Sequence, residues 1–360
     1  MSRDEFSSEC ISVIIPVYNA SKHIMRCLDS ILSQSFCDIQ IILVDDGSFD
    51  NSGKIIDEHL LKTGKIVIAH TTNNGPLSAR STGINISSGL FFTFCDADDY
   101  YCTKHSLQYM YDAIVSNACD AVQFNSYIKY RFFRKKRYKY KDKTFDKEEF
   151  LIHEYPKFLC SYWDESECTV TVWDKIYRRK LLDFLTIELP EDNIFMGDDL
   201  VLNLYLLENC EKFMVVSKPL YCYNTLSGAT NRWKEKDLYD LDILKQNQLK
   251  VIERQDMCEK KQIFRNCYAE LASWLYLHIT DGINRLPEDQ LIIYLENVLN
   301  LKSFKAARIY YLTQNNENWE AVNLLREGDP KNYVSTIKQK SKEKTNDLKI
   351  IKLLKRIIRK

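Results

Sequence analysis

Leu90-Phe91-Phe92-Thr93-Phe94-Cys95-Asp96-Ala97-Asp98-Asp99-Tyr100 joins five mostly apolar residues to three carboxylates in four positions. The apolar run, rich in aromatics, predicts a buried strand. In open parallel α/β sheets, ligands bind beyond the carboxyl ends of the strands, so Asp96, Asp98 and Asp99 fall where a ligand would sit. Three anions this close repel one another, and clustering them needs compensation. A hard divalent cation with oxygen ligands provides it, and such a cation usually holds a phosphate too.

Upstream of this stretch the same alternation repeats. Ile11 to Ile15 predicts a first buried strand, ended by Pro16 and a loop Val17-Tyr18-Asn19. Ile24, Leu28, Ile31 and Leu32 stand at helical spacing within 20–34. Ile39 to Val44 predicts a second strand ending in Asp45-Asp46-Gly47-Ser48, then a helix over 51–62, a third strand over 66–69, a loop over 73–76 and a helix over 78–87. The opening stretch is the fourth strand, and a helix over 103–118 follows it. Strands alternating with helices predict a parallel sheet with right-handed crossovers. The edge rule then gathers Tyr18, Asn19, Asp45, Asp46, Asp96, Asp98 and Asp99 at one crevice.

The chain of 360 residues carries 50 Lys/Arg against 50 Asp/Glu. Its length predicts about two to three domains. The zero net charge hides an asymmetry, for residues 331–360 hold eleven Lys/Arg against Glu343 and Asp347, leaving an acidic body and a basic tail. Twelve cysteines stand at irregular spacing without a CxxC pair, which points to buried free thiols in a reducing compartment rather than a disulfide framework. Met1 to Glu9 lacks the apolar region of a signal peptide, and no run of about 18 apolar residues predicts a spanning helix.

Residues 129–143 hold nine Lys/Arg among five aromatics. Such interleaving could serve nucleic acid, but no nucleic-acid module accompanies it, so a solvated hairpin or loop at the site entrance is the expectation. Val172-Trp173-Asp174-Lys175 and Met196-Gly197-Asp198-Asp199-Leu200 form a second polar cluster. The latter opens a helix, where the dipole alone would favour Asp198 and Asp199. Further helices are expected near 235–256, 260–281, 288–299 and 316–326. In the tail, Ile350, Ile351, Leu353, Leu354, Ile357 and Ile358 line one helical face and lysines and arginines the other. A helix over 346–360 is about 21 Å long, too short to span a bilayer. It suits an anionic membrane surface or docking on the protein itself.

Three chemistries use a strand ending in Asp-x-Asp. Phosphoryl transfer on an aspartyl nucleophile wants Thr or Val four residues after the first acid, where Tyr100 stands. Dinucleotide redox chemistry wants G-x-G-x-x-G after the first strand, where Pro16-Val17-Tyr18 stands. Glycosyl transfer from a nucleotide sugar fits. Charge grows on its diphosphate leaving group, a metal on the acids stabilises it, and a separate carboxylate serves as base for the acceptor hydroxyl.

At this point the chain resembles family 2 (GT2) glycosyltransferases of the GT-A fold, of bacterial surface-polysaccharide type. The resemblance rests on five pieces in order. They are Ile11-Ser12-Val13-Ile14-Ile15-Pro16-Val17-Tyr18-Asn19, the helix Cys27 to Phe36, the nucleobase loop Val44 to Ser52, Asn74-Gly75-Pro76-Leu77-Ser78-Ala79-Arg80-Ser81-Thr82-Gly83, and the metal motif Phe94 to Tyr100. It returns at Trp173-Asp174-Lys175 and Gly197-Asp198-Asp199-Leu200. It implies a Rossmann-like, mostly parallel α/β sheet flanked by helices and followed by a helical C-terminal region. It implies a catalytic domain over 1–230, with a helical domain over 231–345 and the tail helix over 346–360.

Carried over by position, Pro16, Tyr18, Asp45, Asp46 and Asn74 resemble nucleotide-binding positions, and Arg80 the residue that reaches the diphosphate or base. Asp96 resembles the carboxylate that contacts ribose and metal, and Asp98 the principal ligand of Mn²⁺ or Mg²⁺. Asp99 supports them locally. Asp199 resembles the base, with Asp198 as the alternative, and Trp173 walls the acceptor site. Ser81, Asp198 and Asn224 depart from the family's Asn, Glu and Arg, and Arg232 is a substitute for the last. The implied activity is inverting transfer from a nucleotide sugar, UDP-linked, to a surface glycan or its lipid-linked precursor. It places the protein in the cytoplasm, peripheral on the inner face of the membrane, with no nucleic-acid partner and with a homo-oligomer left open. The rival is a non-catalytic or hydrolytic nucleotide-sugar-binding component of a polysaccharide assembly complex.

Overall fold

A computed structural model describes residues 10–60, 65–130, 133–138, 141–159, 166–182, 194, 197–225, 234–255, 260–313 and 320–342. The tail helix expected over 346–360 and Arg232 lie outside the described residues. The chain divides into two compact units, Met1–Tyr155 with Glu167–Thr230, and Pro156–Ser166 with Asn231–Lys360.

The first unit is built on strands β1 (Ile11–Val17), β2 (Ile39–Asp46), β3 (Ile66–Thr71) and β4 (Phe91–Phe94), interleaved with helices α1 (Ile24–Leu32), α2 (Ser52–Leu60) and α3 (Gly75–Ile86). These four strands lie in the order β3-β2-β1-β4, all parallel, as the alternation predicts. Register sets Val17 beside Asp45 and Ile14 beside Phe94, so the carboxyl ends of β1, β2 and β4 form one edge. Helix α3 begins at Gly75, three residues earlier than expected, because Pro76 occupies its first turn, where a missing N–H costs nothing.

Beyond β4 the sheet becomes mixed. The chain runs through β5 (Tyr100–Tyr101), α4 (Ser106–Ser116), β6 (Ala121–Lys129), β7 (Arg134–Lys136), β8 (Lys143–Phe145), a short α5 (Tyr155–Leu159), β9 (Lys175–Arg178), α6 (Asp198–Leu207) and β10 (Phe213–Asn224). Strand β9 inserts antiparallel between β4 and β6, and β10 runs parallel to β6. The sequence did not mark β9 as a strand, since it opens on a buried charged pair. Lys175 Nζ lies 2.9 Å from Asp174 Oδ1, both side chains fully buried, and also donates to the Thr169 and Thr171 carbonyls. Within the basic stretch, β7 pairs back antiparallel on β6, with Lys136 opposite Tyr127.

Alternate residues of β1 face opposite sides. Ile11, Val13, Ile15 and Val17 share a core with Cys27, Leu28 and Ile31 of α1 and with Leu107, Met110 and Ile114 of α4. On the other side Ile14 meets α3 at Gly83, where a Cβ would collide with the Ile14 side chain. That close approach seats α3 against β1 and β2, and α6 packs on α3. Arg80 of α3 thereby comes to the first turn of α6.

The second unit is helical: α7 (Asp237–Arg254), α8 (Lys260–Gly282), α9 (Glu288–Leu299), α10 (Lys302–Thr313), α11 (Glu320–Glu327) and α12 (Pro330–Lys342). Helices α10 and α12 are additional to the sequence reading. In α10 the buried Phe304, Ala307 and Tyr311 alternate with exposed Ile309 and Leu312, which blurs the helical stripe. Among the described residues no helix is long and apolar enough to cross a membrane.

Candidate active site

A cleft of about 770 Å³ opens at the carboxyl edge of the sheet. Its floor begins with Pro16 and Tyr18 at the end of β1 and Asp46 at the end of β2. Tyr18 is half-exposed and meets the exposed Phe49 ring edge to face, at 5.9 Å between centroids. Asp46 is buried and ties two segments together. Its Oδ1 accepts from the Asn74 N–H at 2.9 Å and its Oδ2 from the Gly75 N–H at 2.8 Å, at the start of α3. Asp45 and Asn74 are not among the residues lining the cleft. Asp45 accepts from the Ser48 N–H at 3.1 Å and pairs with His70, while Asn74 donates its side-chain amide to Thr72.

The chain leaves β4 through a tight turn in which the Asp99 N–H donates to the Asp96 carbonyl at 2.9 Å. The three acids part company there. Asp96 and Asp98 line the cleft. Asp99 is fully buried, accepting from Tyr221 Oη at 2.8 Å and from the Asn224 N–H at 2.7 Å. Burial raises its pKa well above the ordinary carboxylate range, with Asp96 and Asp98 adding to the rise. Tyr221 Oη also receives the Asp96 N–H at 3.0 Å, so one tyrosine braces the turn. Asn224, where the family has Arg, is therefore part of the scaffold under the acids.

Arg80 is the hub of the site and almost wholly buried. Its Nη2 donates to Asp96 Oδ1 at 2.9 Å, its Nη1 to Asp198 Oδ2, and the same Nη1 stands 3.1 Å from Asp199 Oδ1. Burial works against its charge, but the three carboxylates outweigh burial and hold its proton firmly. Burial likewise raises Asp96 and Asp198, with Arg80 pulling them back. It pushes Asp199 up to about 7 against the same pull, and Asp198 and Asp96 add to the rise. Gly197 enters α6 at φ +83°, a left-handed turn that glycine adopts without strain, and sets both acids in the first helical turn. The dipole and the arginine thus act on the same pair of acids.

An aromatic wall closes the far end. Trp173 stacks on Tyr221 at 4.7 Å and on Tyr223 at 5.6 Å. The Arg137 guanidinium lies 5.1 Å from the Trp173 ring and 5.4 Å from the Tyr223 ring, within cation–π reach. The sequence reading missed Arg137, Thr171 and Tyr223 as cleft residues. The signal for Arg137 was the basic–aromatic run, but which of its nine cations turns inward depends on the β6–β7 register.

As to metal ligands, Asp96 and Asp98 present two carboxylates, one residue apart, to one cleft. Among the described residues no group of three or more acids, histidines or cysteines is arranged to hold an ion alone. Two carboxylates are what a small divalent cation takes from protein when a substrate phosphate completes its shell, so the donor set fits.

The profile of Glycosyl transferase family 2 matches residues 12–185. GlyA, a glycosyltransferase of Streptococcus pneumoniae serotype 4, is 31% identical over 239 residues, which are 64% of this chain and 33% of GlyA. The chain thus spans about a third of that relative. EpsJ of Bacillus subtilis, described as an uncharacterized glycosyltransferase, is 29% identical over 241 residues, 67% of this chain and 68% of EpsJ. Among solved structures, residues 1–349 of TarS from S. aureus superpose with a TM-score of 0.60 at 20% identity, covering 93% of this chain and 92% of that one, and TarS is also known with UDP and with UDP-GlcNAc. With the β3-β2-β1-β4 sheet agreeing with these likenesses, residues 12–185 form a glycosyl transferase family 2 domain, and the chain has the GT-A fold.

Proposed function

We propose that the protein is an inverting, metal-dependent glycosyltransferase that moves a sugar from a UDP-linked donor to a hydroxyl of a surface glycan or its lipid-linked precursor. The observation that carries this reading is the convergence on Arg80. One guanidinium draws Asp96 of the donor side and Asp198 and Asp199 of α6 into a single cleft, across 118 positions of sequence in the case of Asp198. A structural ion pair needs one acid. Three acids around one buried arginine, two of them coming from a separate helix, suit a site that handles charge in both donor and acceptor.

Pro16, Tyr18 and Asp46 take the nucleoside end, and the diphosphate lies toward Asp96, Asp98 and Arg80. The acceptor oxygen attacks the anomeric carbon from the face opposite the diphosphate. The bond from that carbon to the phosphate oxygen breaks, its electron pair leaves with the nucleoside diphosphate, and the configuration inverts. The hydroxyl proton passes to Asp199, whose pKa of about 7 suits a general base at neutral pH. Asp198 is the alternative base. Arg80 steadies the base and sets positive charge where the leaving group gains negative charge. Asp98, with Asp96, would hold Mn²⁺ or Mg²⁺, which when bound supplies Lewis acidity to the departing diphosphate.

We assign this chemistry to residues 1–230, with 231–345 as a helical domain and 346–360 as a tail that brings the protein to an anionic membrane face. The test is acceptor-dependent release of UDP, with UDP affinity measured with and without Mn²⁺. Asp98→Ala is expected to abolish transfer and the Mn²⁺-dependent part of UDP binding. Equal UDP affinity in wild type and Asp98→Ala, with and without Mn²⁺, would contradict the assignment.

A further inference from the structure

The cleft extends past the acids, and its far end carries a charge that the donor reading leaves unused. The sheet order places the nucleoside positions on β2 and β1, the acids at the end of β4, and then β9, β6 and β10. At a strand spacing of about 4.8 Å, β6 stands roughly 10 Å beyond β4, on the side away from the nucleoside. Arg137 follows β7 there, its N–H donating to the Ser126 carbonyl at 2.8 Å. Its guanidinium is held against Trp173, Tyr223 and Tyr138, at 5.0 Å from the last ring.

This arginine differs from Arg80, whose charge is balanced by three carboxylates although its Nε has no acceptor. Among the described residues no acid stands within ion-pair distance of Arg137. Its Nη1 is shut from solvent and lacks a hydrogen-bond acceptor. A buried charged donor without an acceptor is costly, and the stacked rings compensate it only in part. A planar guanidinium fixed on aromatic faces is preorganised for a phosphate or carboxylate. Strand β7 adds exposed Arg134, Lys135 and Lys136 beside it, which would draw an anion toward this end.

We propose that Arg137, on the Trp173–Tyr223 wall, is the anion-reading residue of the acceptor subsite, so that the acceptor is a glycan or polyol bearing phosphate or carboxylate next to the reacting hydroxyl. The inference rests on the glycosyltransferase reading and names its acceptor class. The aromatic faces take the ring or chain of the acceptor, and the guanidinium fork takes its anion.

The test uses the full chain, saturated with UDP and Mn²⁺, and three probes: a glycerol-phosphate trimer, a galacturonate trimer and a neutral glucose trimer. Calorimetry should give at least tenfold tighter binding of one or both anionic probes than of the neutral one, and which anion wins identifies the source of the charge. Arg137→Gln should remove that preference and leave UDP affinity within about twofold of wild type, and Arg137→Lys should restore part of it. Equal affinity for all three probes overturns the proposal. So does a tenfold loss of UDP affinity in Arg137→Gln while Arg137→Lys binds normally, which would put the guanidinium on the donor. Wild type that fails to bind UDP at all would instead overturn the donor reading beneath it.

Discussion

Arg80 takes on part of the compensation that the sequence assigns to a metal. Read along the chain, Asp96, Asp98 and Asp99 are three clustered anions with no cation near. In the fold, Asp96 leans on Arg80, and Asp99 is satisfied by Tyr221 and a backbone N–H. Asp199 shares that arginine while burial holds its pKa near 7. Only the deprotonated form accepts a proton, so transfer at low acceptor concentration should rise with pH through about 7 and then level off. A rate that falls across that range would make the essential group an acid. Asp199→Asn should keep UDP affinity while lowering kcat by about 10²–10⁴-fold, the usual worth of a general base. Near-normal turnover in that variant would move the role to Asp198. The acids and Arg80 are legible in sequence because each sits in a short local motif. Arg137 is not, because nothing local separates it from the eight other cations of its run.

At the scale of elements, β1 to β4 are legible because each is a short apolar run ended by turn residues. Strand β9 is not, because Asp174 and Lys175 look like surface residues until each is seen to be the other's partner in the core. Their pair anchors the chain in the core immediately after Trp173. Lys175→Met would leave Asp174 buried without a counter-charge, a change that typically costs about 3–5 kcal/mol. Urea unfolding should show a loss of that size. A shift under about 1 kcal/mol would mean that the Thr169 hydroxyl, which also donates to Asp174, satisfies the carboxylate alone. The helices of the second unit show the same contrast. Long α7 and α8 announce themselves, whereas α12, with only Pro330, Tyr333, Val334 and Ile337 of its described side chains buried, reads as a polar segment.

For the whole molecule, charge and chemistry divide along the chain. The acidic body holds the cleft, and the basic residues of 346–360, which lie outside the described residues, carry the charge that we propose for an anionic surface. Removing residues 346–360 should reduce co-sedimentation with phosphatidylglycerol-containing vesicles at low salt and leave UDP release from the donor unchanged. Unaltered sedimentation would remove the tail from any membrane role. Transfer from a nucleotide sugar in the Arg80 cleft is decided by a panel of UDP- and GDP-sugars with Mn²⁺ or Mg²⁺, read out by released nucleotide. Nucleotide release is expected from at least one UDP-sugar, stimulated by acceptor and lost on removing the metal. Binding of UDP without turnover of any sugar nucleotide, across the panel and with acceptors present, would contradict it.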